Sequence, residues 1–311
     1  MTSTFEAAPG VVAIDTMMVG HAGVTSAYLV RADEPALIET GPTTSLGDVR
    51  RGLDELGVGE GELAHIIVTH IHLDHAGGAG ALAPYYPHAR VWVHEWGAPH
   101  LADPTKLVAS ATRVYGEEAM SRMFGAVLPV PGERIRAVRD GDVIGLGNRD
   151  LSVIYAPGHA SHQVCFVDSD TGALFTGDAL GVFLSDAGVL RPATPPPEFD
   201  LELAVASVER VREANPSLLL FSHFGPAPEV EELCQTAIER LRRWTSFVRE
   251  AMTHGADLSG VTEFLRERTA PELQSALDRG LGVERYELLS SVEMNAMGIM
   301  RYLKSRAASG G

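Results

Sequence analysis

Thr69-His70-Ile71-His72-Leu73-Asp74-His75-Ala76-Gly77-Gly78 packs three histidines and one aspartate into six residues, directly after the apolar run His65-Ile66-Ile67-Val68-Thr69. A short continuous apolar run of this kind is expected for a strand buried on both faces. Imidazole and carboxylate are the ordinary protein ligands of zinc and related ions. His70 and His72 are two apart, so in an extended turn they share a side and can hold one ion together. Asp74 and His75 fall where a helix would begin, and two adjacent residues there can point to a second ion beside the first. Gly77-Gly78 is read as a tight backbone turn beneath the site. A lone histidine after a strand is commonly a surface residue, but four ligand-type side chains at this density are not explained that way.

Three further candidates each stand just beyond an expected strand. His159 follows Leu151–Tyr155 in APGHAS, Asp178 follows Ala173–Thr176 in LFTGDAL, and His223 follows Ser217–Phe221 in LLLFSHFG. Strand-end loops along one edge of a sheet face the same way, so residues from separate strands can converge there.

Working outward, the first half reads as short strands punctuated by glycine: Val11–Ile14, Ser26–Val30 and Ala36–Glu39, then a helix over Val49–Leu56 that Gly57 stops. Ala98–Gly125 is helix-compatible, with Leu107, Ala111, Val114, Met120 and Met123 spaced as a buried stripe. Strands resume at Arg134–Val138, Val143–Leu146, Leu151–Tyr155, Gln163–Val167 and Ala173–Thr176. The proline-rich stretch 192–199 cannot be regular structure, because proline lacks a donor and fixes φ. Beyond it lie a helix over Leu201–Ala214, the strand Ser217–Phe221 and an almost wholly helical remainder from Glu229. In that remainder Leu288, Val292, Met297, Met300 and Leu303 form a stripe that suits either a core or an interface. Strands followed by helices, twice over, indicate two packed sheets with helices outside.

The formal charge of −16 disfavours a phosphate backbone as ligand, and no dense Lys/Arg run offsets it. Two distant cysteines, Cys165 and Cys234, argue against a disulfide framework and a Cys-rich zinc site. The N-terminus lacks a basic start followed by an apolar run, and no apolar stretch reaches membrane-spanning length. A cytoplasmic protein acting on a small molecule, without nucleic acid or membrane as partner, is the expectation.

The H-x-H-x-D-H run, then Gly-His, then Gly-Asp, then a late histidine, in this order and with these gaps, resembles the metallo-β-lactamase superfamily over roughly residues 10–225. The resemblance implies an α/β fold, the αββα four-layer sandwich, with the site at one edge. Residues 1–252 would form the catalytic domain. Residues 253–311 would form a helical C-terminal extension serving as a cap or a homodimer contact. It implies a metal at His70, His72 and His159, a second at Asp74, His75 and His223, and Asp178 bridging both. Zinc is the expected ion, with iron or manganese as the other candidates.

Two positions depart from the pattern. Family members often carry Asp where Glu39 stands in LIETGP, near the first metal, and Gly where His162 stands in HASHQVCF. His162 is a candidate for substrate contact or is simply exposed, the plainer reading being preferred, and Cys165 is read as a small core residue on a strand. His21 lies in an early turn that in this fold can approach the site. Phe183, Phe199 and Phe224 are candidates to line an apolar pocket, and the insertion Leu184–Asp200 to form its rim. His65, His88, His94, His100 and His254 have no ligand-like context and read as structural or surface residues.

Two cations about 3.5–4 Å apart lower the pKa of a shared water toward neutrality, and the hydroxide so formed would attack a carbonyl. Asp74 and His223 are the ligands expected to take part in the chemistry, Asp74 as orienter rather than nucleophile. No Gly-x-Ser-x-Gly elbow is present, so a serine mechanism has little support. By resemblance, an aspartate at the Asp178 position points away from true β-lactamases and toward glyoxalase II-like and lactonase-like members. The expectation is a binuclear metallohydrolase of a small ester, thioester or lactone. The alternatives are a persulfide dioxygenase with one iron and a non-catalytic metal-binding protein.

Overall fold

The structure, a computed structural model, describes residues 4–281 and 284–309. Residues 1–3, 282–283 and 310–311, which the two-part division of the chain includes, lie outside the described residues.

The first sheet holds, in sequence and spatial order, β1 (Thr4–Ala8), β2 (Val11–Asp15), β3 (Ser26–Val30), β4 (Ala36–Ile38), β5 (His65–Ile67), β6 (Arg90–His94) and β7 (Ile135–Val138). Its first four strands are antiparallel, and β4 through β7 run parallel. Next come β8 (Val143–Gly145), β9 (Asp150–Tyr155), β10 (Val164–Asp168), β11 (Ala173–Gly177), the hairpin β12 (Val182–Leu184) and β13 (Val189–Arg191), then β14 (Leu218–Phe221) and β15 (Gly225–Ala227). The second sheet has the order β15-β14-β11-β10-β9-β8, and the hairpin stands apart.

The layering follows from side-chain alternation. Ala13, Tyr28 and Ile38 of the first sheet meet Val164, Phe166 and Leu220 of the second in one buried cluster. Their neighbours Ile14, Leu29 and Leu37 face the opposite way, into a cluster beneath the helices of the first half. Cys165, Leu174 and Leu219 likewise face the helices that follow the second sheet, so Cys165 is the core residue its context indicates. A strand sends successive side chains to opposite faces, so two sheets apolar on both faces cover each other on one side and each need a helical layer on the other. The result is the αββα sandwich.

The helices are α1 (Leu46–Glu55), α2 (Leu73–Ala76), α3 (Ala79–Leu82), α4 (Ala98–Ala102), α5 (Thr105–Tyr115), α6 (Glu117–Met123), α7 (Leu201–Glu213), α8 (Val230–Thr253), α9 (Leu258–Thr269), α10 (Gln274–Asp278), α11 (Glu284–Leu289) and α12 (Val292–Ser309). No helix among the described residues is long and apolar enough to cross a membrane. Val261 and Leu265 of α9 and Val292 and Met300 of α12 enter the same cluster as Leu241 and Trp244 of α8. The C-terminal stripe is therefore core-facing at Val292 and Met300, while Leu288 packs on a separate cluster with Met120 and Phe124.

Several expectations need correction. Ala98–Gly125 is three helices, broken at Pro104 and at Gly116, where φ is +79°. Met120 and Met123 are buried, whereas no residue of α5 is fully so: Leu107 and Ala111 pack partly on the cluster of Met120 and Phe124 and otherwise line a cavity. Strands β1, β6, β12, β13 and β15 had no counterpart in the sequence reading. Gly77 and Gly78 form the turn between α2 and α3. Both are right-handed helical, and the missing side chains let the Gly78 N–H reach the Gly41 carbonyl at 2.8 Å.

Helix α12 touches the loop that follows β13. A Cβ added at Gly298 would lie 1.8 Å from the Thr194 carbonyl oxygen, so only glycine fits. Gly298→Ala is predicted to force the two elements apart and destabilise the protein by about 1–3 kcal/mol. Denaturant unfolding with an unchanged midpoint would contradict this.

Candidate metal centre

Strand direction brings the candidate residues together. β10 is antiparallel to both β9 and β11, and β11 is parallel to β14, so β9, β11 and β14 all end at one edge. β4 and β5 end together in the first sheet. Cross-links between sheets hold these two edges in contact: the Ser26 N–H donates to the Ser222 carbonyl at 2.8 Å, and the Val164 N–H to the Thr69 carbonyl at 2.9 Å. At this edge stand Glu39 after β4, His70 and His72 after β5, and Asp74 and His75 on α2. His159, Asp178 and His223 follow β9, β11 and β14.

These side chains form two groups. His72 Nδ1 lies 3.0 Å from His70 Nε2 and 2.8 Å from His159 Nε2. Asp74 Oδ2 lies 3.6 Å from His75 Nε2 and 3.5 Å from His223 Nε2. Asp178 stands between the groups. Its Oδ1 is 3.4 Å from His75 Nε2 and 3.3 Å from His223 Nε2, and its Oδ2 is 3.6 Å from His159 Nε2.

The far side of each ring fixes which nitrogen faces inward. His159 Nδ1–H donates to the Ala193 carbonyl at 2.9 Å, and His223 Nδ1–H to the Val24 carbonyl at 3.3 Å. Glu39 Oε1 accepts from His75 Nδ1 at 3.2 Å, from the Thr69 hydroxyl at 2.5 Å and from the Ser222 hydroxyl at 3.1 Å. Thr69, having donated to Glu39, accepts from His70 Nδ1 at 3.0 Å. A ring whose Nδ1 carries the proton presents a lone pair at Nε2. Glu39 thus reaches the cluster despite its extra methylene, from a backbone held at φ +65°.

The arrangement fits divalent cations. His75 Nε2, His223 Nε2 and Asp178 Oδ1 are buried without a hydrogen-bond partner in the protein, an arrangement that is costly unless something else coordinates them. Burial holds His70, His72 and His159 below the usual imidazole range, as neutral ligands must be. Burial would lower His75 too, but Asp178, Asp74 and Glu39 outweigh it and raise it well above that range. Burial would raise Asp178, yet His223, His75 and His159 hold it well below the carboxylate range.

The remaining expected residues are placed differently. His162 is buried, correcting its reading as exposed, and it lines the cavity beside the cluster, where a substrate-side candidate would stand. Its ring stacks at 13° on His70 with centroids 6.1 Å apart, and its Nδ1 accepts from the Ile71 N–H at 3.4 Å. Burial, helped by the neighbouring histidines His159, His100 and His94, lowers its pKa to about 3. His21 is exposed beyond the turn Met18–Gly20. Phe183 packs on Phe221 inside the helix-facing core, Phe199 lies in the same core, and Phe224 packs on Phe5. His65 bonds Glu34 and Trp92, and buried His94 stacks on Tyr155, so both are structural. His88 and His254 are exposed.

Sequence reasoning missed three groups beside the cluster. His100, Lys106 and Tyr115 line the cavity that opens from His72, Asp74, His159 and Asp178, together with the rim Ala193–Glu198. Lys106 is one of only two lysines in the chain, the one available signal. Asn295 of α12 is the other omission. Its Oδ1 accepts from the Thr194 N–H at 2.8 Å and the Thr194 hydroxyl at 2.6 Å, one residue from the carbonyl that orients His159. Ser290 adds a bond to the Pro192 carbonyl at 2.6 Å.

Two predictions follow from this geometry. Asn295→Ala should release the Ala193 carbonyl and weaken metal binding about tenfold, the scale of lost support behind a ligand. Asn295→Asp, which keeps the acceptor, should recover most of it, and chelator competition giving equal affinities for Asn295→Ala and parent would contradict the link. Metal-free protein keeps a proton on His75 above the ordinary value of about 6.5, and a cation must displace it. Apparent metal affinity should therefore rise as pH is raised from about 6 to about 8. Affinity that is flat or falling over that window would contradict this.

A family model described as Metallo-beta-lactamase superfamily matches residues 21–223, more than half of the chain. The metallo-beta-lactamase fold-containing protein ST1585 of Sulfurisphaera tokodaii is 29% identical over 76% of this chain and 84% of its own length. A solved structure of ST1585, described as an archaeal metallo-beta-lactamase superfamily protein from Sulfolobus tokodaii, superposes with a TM-score of 0.64 at 26% identity, over 74% of this chain and 85% of that one. Human acyl-coenzyme A thioesterase MBLAC2 is 34% identical over 37% of this chain and 40% of its own. The hydroxyacylglutathione hydrolase of Aeromonas salmonicida is 30% identical over 54% and 50%.

Proposed function

The chain belongs to the metallo-β-lactamase superfamily, and we propose that it is a hydrolase of a small ester, thioester or lactone working with two divalent cations. One cation would be held by His70, His72 and His159, the other by Asp74, His75 and His223, with Asp178 shared. The position of Asp178 carries this reading, since each of its oxygens faces a different group of imidazoles. Glu39, His70 and His75 also offer ligand atoms within 4.8 Å of one another. The three donors already at Glu39 Oε1 favour a supporting role for that carboxylate. Five imidazoles and two aspartates suit zinc, with iron or manganese next.

Such a pair of cations supplies Lewis acidity, polarising a carbonyl and making water ionisable near neutral pH. The protein's part is positioning. Asp74 is 22% exposed at the cavity edge, where it can orient the attacking water. The rim Pro195–Glu198 and helix α5 line the cavity through which the scissile group would reach the cluster. The relatives named as an acyl-coenzyme A thioesterase and a hydroxyacylglutathione hydrolase support hydrolysis at an acyl carbon. We assign a small molecule as the substrate because His72, Asp74, His159 and Asp178 line a cavity of about 240 Å³.

Asp178→Ala is the direct test. The parent is expected to hold two metal ions per chain and to hydrolyse members of a panel of p-nitrophenyl esters, acyl thioesters and lactones. The variant should lose at least one ion and more than about a hundredfold in rate. Parental metal content and rate in the variant would refute the shared-ligand role. One iron per chain with substrate-dependent oxygen uptake would refute hydrolysis and favour a dioxygenase.

A further inference from the structure

We propose that the cavity beside the metal cluster holds an unbranched apolar chain on the acyl side of the substrate, and that helix α5 sets the chain length accepted. This rests on the hydrolase reading and narrows it.

The observation is an apolar helix face that is only half covered: Leu107 and Ala111 touch the cluster of Met18, Met120 and Phe124, yet the face stays partly exposed along a cavity. Leu107, Ala111 and Val114 are spaced four and three residues apart, so they share one face of α5. That pattern ordinarily marks a stripe sunk into a core. Here no α5 residue is buried, and all three line the cavity. Pro195, Pro197 and Met294 line the same cavity. Methionine adapts its shape to what it packs against, which suits a wall meeting a variable chain.

The geometry continues into the chemistry. The same cavity is floored by His72 and Asp178, so a group bound along α5 ends at the cluster. Its volume of about 240 Å³ exceeds the about 150 Å³ that admits a benzene ring. A carbonyl at the floor therefore leaves space for several methylenes beneath α5. Ester, thioester and lactone substrates differ in their leaving groups but share the acyl part, which is why the chain is placed there. Each methylene buried against such a wall is worth about fourfold in affinity.

The test uses the metal-loaded protein and two readouts. The first is kcat/KM for p-nitrophenyl acetate, butyrate and octanoate. The second is calorimetric binding of acetate and decanoate, which needs no turnover. In the parent, octanoate should exceed acetate by at least tenfold in kcat/KM, and decanoate should bind at least tenfold tighter than acetate. Ala111→Trp should fill the space and bring both ratios near one, with metal content and circular dichroism at parental values. If the indole disturbs the fold, Val114→Asp serves the same purpose by making the wall polar. Ratios near one in the parent, or ratios unchanged in a folded Ala111→Trp or Val114→Asp, would overturn the proposal. Tight decanoate binding without hydrolysis of any ester would keep the apolar site and sink the hydrolase reading instead. Ester hydrolysis indifferent to chain length would do the reverse.

Discussion

Five imidazoles and three carboxylates meet at one edge of the sandwich, all but His72 and Asp74 buried, with several of their polar atoms left unpaired. Buried polar groups without partners are costly, and lone pairs facing one another add repulsion. Positive charge at the centre relieves both. Protein protons supply a little of it, at His75, and divalent cations would supply far more. The local architecture is consistent with that demand. The rings of His70, His75, His159 and His223 are each tied on their outer side to a carbonyl, a hydroxyl or Glu39, so their inner nitrogens cannot turn away.

That constraint reaches well beyond the strand-end loops. His159 is oriented by the Ala193 carbonyl, Ala193 belongs to the rim, and the rim is pinned by Ser290 and Asn295. Buried Arg191, the last residue of β13 before the rim, lies 5.0 Å over the Trp244 ring and pairs with Glu287. The C-terminal helices are thus part of the scaffold of the metal centre as well as of the cavity wall. The contact at Gly298 brings α12 close enough to do this.

The convergence of the histidines and aspartates was legible in sequence because coordination chemistry would concentrate such residue types at fixed spacings, as in His70 to His75. The strands flanking it were legible because both sheets are covered on both faces, so Ala27–Val30 and Val164–Phe166 read as continuous apolar runs. Less was legible where tertiary contacts, not local pattern, decide. β1 is an edge strand with only Ala8 buried, and β12 and β13 were masked by the proline-rich stretch after them. Periodicity identified the apolar face of α5 but carries no information about what that face meets. The same limit applied to His162, whose burial depends on His70 stacking across the sheets, and to Phe183, which turned inward to Phe221.

Anomalous X-ray scattering from crystals of the zinc-loaded protein tests the central claim most directly. Two peaks are expected, one about 2.0–2.2 Å from the inward nitrogens of His70, His72 and His159, the other at that distance from His75 and His223. Asp178 should contribute one oxygen to each. A single peak, or none within bonding distance of Asp178, would contradict the account.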